Sequence, residues 1–345
     1  MRAVLLLGHG GPEMLEYRED VPDPELAAGE VLVRVGAAGL NNTDVWTREG
    51  AYGSQDDPGL LQGWRREPLT FPLIQGADIA GRIVAVGSGV AEDRVGERVL
   101  VDNALYAGDG EGLLEAGIIG SERNGGFAEL VSVPAENAHR INSDLSDAEL
   151  ASFPTAYATA ERMLNRARLA PKDTVLVTGA SGGVGSGLVQ LAKIRGATVI
   201  GVVGEGKEDL VRAIGADTVV TRAEDVSATV RNALVGRALD VVADVVGGEQ
   251  VSELLNLLRP GGRYVVAGAI AGPLVTVDLR TIYLKQLNVL GSTMANRDEF
   301  AALVRYIESG RLRPLVWATY PLAEFARAQA EFARKHFVGK LVVTP

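Results

Sequence analysis

The segment Val175-Leu176-Val177-Thr178-Gly179-Ala180-Ser181-Gly182-Gly183-Val184-Gly185 joins an apolar run to an amphipathic stretch from Ser186 to Lys193. Ala180, Gly182 and Gly185 fill the small-residue slots of a G-x-G-x-x-G spacing, with Ala in the first. Small residues there allow a tight turn and close backbone approach, and a helix opening after them presents unpaired N–H groups to an anion. The chemistry is capture of a pyrophosphate, the centre of a dinucleotide, by Ala180, Ser181, Gly182, Gly183, Val184 and Gly185. A turn that needs glycine for packing alone is the plain alternative; the strand before, the helix after and the alternation beyond weigh against it. Further on, the apolar run 198–203 ends in Val203-Gly204-Glu205-Gly206-Lys207. An acid at the strand end would accept from a ribose 2′-hydroxyl. Val203 stands there instead, and Lys207 can meet a 2′-phosphate. This favours NADPH, with NADH left open by Glu205 close by.

The elements that must hold this loop follow from the pattern around it. From about residue 147 strands and helices alternate: strand 174–178, helix 184–195 stopped by Gly196, strand 198–203, helix 207–214 stopped by Gly215, then strands 218–220, 239–245 and 263–267. That is the order of a doubly wound parallel sheet in an α/β domain. Ser146-Asp147-Ala148-Glu149 offers caps to a helix running toward Leu164. Before residue 140 short apolar runs at 4–7, 29–35, 79–86, 95–101 and 127–133 alternate with turns, which suggests a β-rich, barrel-like module. The near-continuous run 29–35 suits a strand buried on both faces. Residues 50–72 are too rich in Gly, Pro and charge for regular structure. Near the end, 319–322 opens a helix through Phe332 and 340–344 reads as a last strand returning to the first module. The expected domains are therefore 1–146 with 316–345, and 147–315.

Composition narrows the partners. The chain has 345 residues, about two domains at roughly 150 residues each. Its 44 acidic and 34 basic residues give a net charge of −10, which opposes nonspecific binding to a phosphate backbone, so nucleic acid is not an expected partner. With no Cys there is no disulfide, no thiol nucleophile and no cysteine-based zinc site. His9, His139 and His336 stand far apart without metal-ligand spacing. The N-terminal run meets glycines and charges too early for a signal segment, and no stretch approaches the roughly 18 apolar residues of a membrane span. The expectation is a cytoplasmic protein acting on a small molecule, without membrane or metal.

Four segments together resemble the medium-chain dehydrogenase/reductase superfamily, and the likeness covers essentially the whole chain. Gly39-Leu40-Asn41-Asn42-Thr43-Asp44, with Arg48-Glu49-Gly50-Ala51-Tyr52 after it, is similar to the start of the quinone oxidoreductase branch. The segment 75–87, beginning Gln75-Gly76-Ala77-Asp78, is similar to the superfamily's glycine-rich strand, Asn124-Gly125-Gly126-Phe127-Ala128-Glu129 to its return to the catalytic core, and 175–185 to its cofactor loop. The resemblance implies a Rossmann domain joined to a GroES-like catalytic domain, and a homodimer formed near the sheet edge at 287–292. The departures are as informative. Zinc alcohol dehydrogenases of the superfamily carry Cys where Asn41 stands and a His-Glu pair where Ala77-Asp78 stands, and their four-cysteine loop has no counterpart here.

The branch therefore implies a zinc-independent hydride transfer from NADPH to a quinone or an α,β-unsaturated carbonyl, whose developing charge spreads over a conjugated oxygen. In that reading Asn41 donates its amide to the substrate oxygen or its bound water, Tyr52 is a hydroxyl donor or ring platform, and Asp44 orients the group. The resemblance further places Thr159 on the nicotinamide face, and Val246 and Gly268 along the cofactor cleft. The plain alternatives are a turn Asn, a loop Tyr, a capping Asp and a helix-interior Thr. Trp46 and Trp64 can wall an apolar cleft, and Trp317 is expected in the core. An alcohol dehydrogenase-like oxidoreductase and a non-catalytic NADPH-binding sensor remain as alternative functions.

Overall fold

Valines at 31, 33 and 35 recur every second residue, the period of a strand with one covered face. They form the strand Glu30–Gly39, in which these valines are buried while Arg34 is exposed. The strand expected to be covered on both faces is thus covered on one, until Ala37, Ala38, Gly39 and Leu40 are all buried. The computed structural model describes residues 1–52, 64–65, 67–108, 111–113, 115–223, 225–234 and 236–345. Most of the 50–72 segment lies outside the described residues.

Glu30–Gly39 lies inside a seven-stranded sheet ordered Ala138–Arg140, Arg98–Val101, Asp78–Val86, Glu30–Gly39, Lys340–Thr344 and Val316–Pro321, with Leu130–Pro134 also paired to Glu30–Gly39. All pairings are antiparallel except that of Val316–Pro321 with Lys340–Thr344. A smaller sheet holds Leu15–Arg18, Ala3–Leu6 and Leu73–Ile74. Ile79, Ile83, Val99, Phe127, Leu341 and Val343 share one core with Phe325 and Phe332 of the helix Phe325–Arg334. Residues 316–321, expected in part to open that helix, form a strand of alternating exposure, and the helix begins only after Pro321 and a single 3₁₀ turn. Trp317, expected in the core, sits on the outward face of this strand and is 51% exposed.

This first unit comprises Met1–Thr155, Asn296–Gly310 and Pro314–Pro345, and the second Ala156–Ala295 with Arg311–Arg313. The texture of the sequence changes at 146/147 and 315/316, whereas the contacts divide at 155/156 and 295/296. The helix Arg297–Glu308 belongs to the first unit because Phe300 packs on the His139 ring at 5.0 Å and Arg297 pairs with Glu136. The single helix expected toward Leu164 is two. Asp147–Leu150 stops, and Pro154, which has no N–H to donate, starts Pro154–Arg166.

In the second unit six parallel strands lie in the order Thr218–Thr221, Thr198–Val203, Thr174–Val177, Val241–Asp244, Arg263–Val266 and Asn288–Gly291. This is the doubly wound order 3-2-1-4-5-6, whose ligands bind at the carboxyl ends of the strands beside the first. The helices Gly183–Ile194, Glu208–Ala213, Val226–Leu234 and Val251–Leu257 follow its strands. Among the described residues no helix is long and apolar enough to cross a membrane.

Phe127 is fully buried and packs 4.6 Å from Phe325, ring centre to ring centre. Phe127→Ala is expected to destabilise the first unit by about 3–5 kcal/mol, because a large ring leaves a cavity that a β-rich core closes only in part. Denaturant melts followed in that unit check this, and a loss near zero would place the ring outside the core.

Candidate active site and dinucleotide loop

In the first unit the site forms where three strands end together. Gly39 pairs with Asp78 on one side and with Val342 on the other, and Leu40 N–H donates to Leu341 O at 2.9 Å. This register brings Lys340 and Asp78 to the chain segment that carries Asn41. The Lys340 ammonium donates to Leu40 O at 2.7 Å, to Asn41 Oδ1 at 2.5 Å and to Asp78 Oδ2 at 2.8 Å. The side chains of Lys340 and Asp78 are 5% and 0% exposed. Asp78 Oδ1 accepts from Thr155 N–H at 2.6 Å, so both its oxygens are engaged. Gly39 makes room for this, since a Cβ there would stand 3.0 Å from Asp78 Oδ2 and press on Ala151 O.

Asn41 itself caps the helix Asn42–Glu49, for which the sequence offered only a turn Asn and a capping Asp as plain alternatives. Asp44 sits at the third helical position and accepts from Asn41 N–H at 2.7 Å, the reverse arm of a capping box. Burial pushes the Asp44 carboxyl up to about 7, against the opposing pull of the Asn41 N–H and Lys340. Its backbone carbonyl takes Gln75 Nε2 at 2.8 Å. Tyr52 donates to Thr43 Oγ1 at 2.9 Å, and burial raises its hydroxyl above the ordinary tyrosine range. Trp46 and Trp64 flank the Tyr52 ring at 5.5 and 5.2 Å, so these three aromatics form one wall. The structure therefore gathers Asn41 and Asp44 directly, with Tyr52 held to their helix through Thr43. Lys340 was missed, and Asp78 was noted only as standing in place of a zinc ligand. The visible signals were an ionisable residue opening an otherwise apolar strand, Lys340-Leu341-Val342-Val343, and an acid ahead of Ile79.

The site does not suit a zinc ion. Zinc is held by thiolate, imidazole and free carboxylate lone pairs. Here Asn41 Oδ1 and Asp78 Oδ2 already accept from an ammonium, and a cation occupies the place between them. His9 instead approaches Thr47 O at 3.1 Å, and among the described residues no group of three His, Asp or Glu could hold a metal.

In the second unit the strand Thr174–Val177 runs into Gly179, whose φ of 56° suits glycine, and then into the helix Gly183–Ile194. Gly182 is the N-cap and gives no side-chain partner to the first N–H groups of the helix, as an anion site requires. A Cβ at Gly185 would stand 2.7 Å from Ala180 Cα, so glycine there lets the helix close on the loop. Asp244, fully buried, accepts from Thr178 Oγ1 and Tyr264 OH at 2.5 Å each, and from the N–H groups of Val246 at 2.9 Å and Gly247 at 3.2 Å. This fixes the turn after its strand beside Gly179, where a Cβ would meet Val245 and Val246 at 3.2 Å. Gly268 lies against the same turn, 2.9 Å from Val245 O to where its Cβ would be. Val246, Gly268 and the glycine loop thus come together, held by Asp244, Thr178 and Tyr264, which sequence reading did not single out.

Thr159 is buried on Pro154–Arg166, the helix whose Tyr157 and Ala160 flank Gly187 of the loop helix. Lys207 caps Glu208–Ala213, and burial followed by repulsion from Arg222 lowers its ammonium below the usual lysine range. Arg222 N–H donates to Val203 O at 2.9 Å, and its guanidinium lies 3.4 Å from where a Cβ of Gly204 would be. Two cations thus flank the end of the strand Thr198–Val203. Arg222 escaped sequence reading because it follows the next strand, Thr218–Thr221, fifteen positions beyond Lys207.

Family models match both units: "Alcohol dehydrogenase GroES-like domain" over residues 27–143 and "Zinc-binding dehydrogenase" over residues 183–309. The chain is similar to the quinone oxidoreductase of Lama guanicoe, 31% identical over 99% of this chain and 97% of that protein. It is as similar to the acryloyl-coenzyme A reductase of Metallosphaera sedula, 31% identical over 100% of both. A solved structure of a candidate alcohol dehydrogenase from Sinorhizobium meliloti 1021 is 58% identical, with a TM-score of 0.97 over 100% of this chain and 96% of that one. With a GroES-like unit, a Rossmann unit and relatives matched end to end, the chain belongs to the medium-chain dehydrogenase/reductase superfamily.

Proposed function

We propose that the protein is a zinc-independent reductase that uses NADPH to reduce a quinone or an α,β-unsaturated carbonyl. The observation that carries the reading is the ammonium between Asn41 and Asp78, where zinc-dependent members of the superfamily place metal ligands. A site whose donor to the substrate is an amide, its ammonium being engaged by Leu40, Asn41 and Asp78, cannot act as a Lewis acid on an alcohol. It can hold the oxygen of a conjugated carbonyl while negative charge builds there. NADPH, when bound, supplies the hydride. Asn41 donates to the substrate oxygen, Asp44 fixes the Asn41 backbone, and Tyr52 with Trp46 and Trp64 offers ring faces to an apolar acceptor. A proton from solvent completes the reduction. Relatives named quinone oxidoreductase and acryloyl-coenzyme A reductase support the acceptor class. The likeness to a candidate alcohol dehydrogenase makes alcohol oxidation the competing activity.

Lys207 and Arg222 support NADPH over NADH, since a 2′-phosphate beside two cations gains charge-assisted hydrogen bonds that a hydroxyl does not. Asn288–Gly291 is an edge strand that exposes Val289, and Leu279, Tyr283 and Leu284 on the preceding helix are exposed too. An unpaired edge beside apolar surface favours pairing with a second copy of the chain, so the proposed state is a homodimer.

NADPH oxidation with a panel of quinones and enones is expected to proceed unaffected by chelator and to exceed that with NADH. Arg222→Ala should lower the NADPH preference about tenfold, the value of one such contact at a tenfold per 1.4 kcal/mol. Alcohol oxidation that appears only on adding zinc would overturn the reading. Sedimentation should give twice the chain mass, and a monomer at micromolar concentration would remove the dimer. Asp44 holds its proton to about 7 in the fold against 3.8 when free, so the folded state binds more protons between those values and stability falls as pH rises through them. Burial gives Asp102 the same tendency, so Asp44→Asn should lessen that fall without abolishing it, and an unchanged slope in denaturation between about pH 4 and pH 7 would show Asp44 ionised throughout.

A further inference from the structure

An ammonium carries three N–H donors and no acceptor. Lys340 spends them on Leu40 O, Asn41 Oδ1 and Asp78 Oδ2, at 2.7, 2.5 and 2.8 Å. The amide of Asn41 then has one admissible orientation. Turned over, its NH₂ would face the ammonium donor to donor, so Oδ1 must point at Lys340 and Nδ2 away from it. The contact that Nδ2 makes within the site is long, 3.4 Å to Gly39 O, and an amide nitrogen has two hydrogens to give. A charged donor on Oδ1 also draws electron density from the amide nitrogen and makes Nδ2–H a stronger donor. Lys340 cannot turn aside, because Asp78 is held from its far side by Thr155 N–H and both charges are buried.

We propose that Lys340 is a positioning residue that makes Asn41 a one-way hydrogen-bond donor to the carbonyl oxygen of the substrate. The role rests on the reading of Asn41 as that donor. It implies a preference for groups that present a lone pair, such as quinone and enone oxygens, at the point where Asn41 Nδ2 meets the ligand.

The test uses the full chain labelled with ¹⁵N-asparagine, in which the Asn41 NH₂ signal is identified by its loss in Asn41→Ala. Lys340→Met with Asp78→Asn removes both charges together, so that neither is left buried alone. In that variant the Asn41 NH₂ signal should move toward the free-amide range, and kcat with the best enone or quinone should fall about tenfold with KM for NADPH unchanged. Lys340→Gln with Asp78→Asn, which keeps polar groups in place, should move both in the same direction and serves where the first pair does not fold. Asn41→Ala alone should be slower by on the order of 100-fold. Adding the paired change to it should have less than about twofold further effect, as for groups that act through one another. An unmoved NH₂ signal, or a tenfold loss that persists without Asn41, overturns the positioning role. A protein that binds NADPH but reduces no quinone or enone overturns the functional reading instead, and the NH₂ signal still decides what Lys340 does to Asn41.

Discussion

The candidate site of the first unit depends on one buried cation. Lys340 opens one strand, Asp78 opens another, and Leu40 and Asn41 leave the strand between them. Taking an ammonium and a carboxylate out of water costs several kcal/mol for each, and only close pairing with every remaining lone pair and proton satisfied offsets it. Here the three donors of Lys340 and both oxygens of Asp78 are matched. The pair therefore contributes specificity more than stability. A slip of one residue in either neighbour strand would turn a charge to the opposite face and leave the other unpaired, on the order of 3–5 kcal/mol.

Both units set the backbone of a candidate binding turn with a buried carboxylate. Asp44 takes the N–H of Asn41, and Asp244 takes those of Val246 and Gly247. Each carboxylate is close in sequence to the turn it holds, and each is fixed in its own place by more distant partners: Gln75 reaches the Asp44 carbonyl, and Thr178 and Tyr264 reach the Asp244 oxygens. Local capping chooses the turn and tertiary hydrogen bonds make it rigid, which is what a site must have to hold a ligand in one geometry.

How much of this could be read from the sequence follows from the range of the interactions. The glycine loop announces itself because its physics is local: small residues, a strand before and a helix after lie within twenty positions. The alternation of the second unit was legible for the same reason, and its strands fall within two residues of the expected ends. Asn41 and Asp44 were singled out through motif likeness, and the structure brings them together. Lys340 was not singled out, since its partners lie 299 and 262 residues away and nothing in Gly339-Lys340-Leu341 tells which acceptors will surround it. Arg222 is a lesser case, since only the parallel register of Thr218–Thr221 on Thr198–Val203 brings it to Gly204. Trp317 and the helix expected from 319 failed differently. An exposed edge strand with apolar residues on it has the same composition as a buried segment, and only its single neighbour shows which it is.

The strand that completes the first unit is also the one made last. Asn41 and Lys340 are 299 residues apart, and the whole of the second unit lies between them. At roughly 5–20 residues per second, the ribosome delivers Lys340 some ~15–60 s after Asn41. Until then the Ala38–Gly39 end of the strand lacks its partner on one side, where Leu130–Pro134 pairs only with residues 30–34, while all six strands of the second unit's sheet precede Lys340 in the chain. Translation therefore places the burden of quality control on the first unit: the open end of that strand is what a chaperone would have to cover until Lys340–Thr344 arrives.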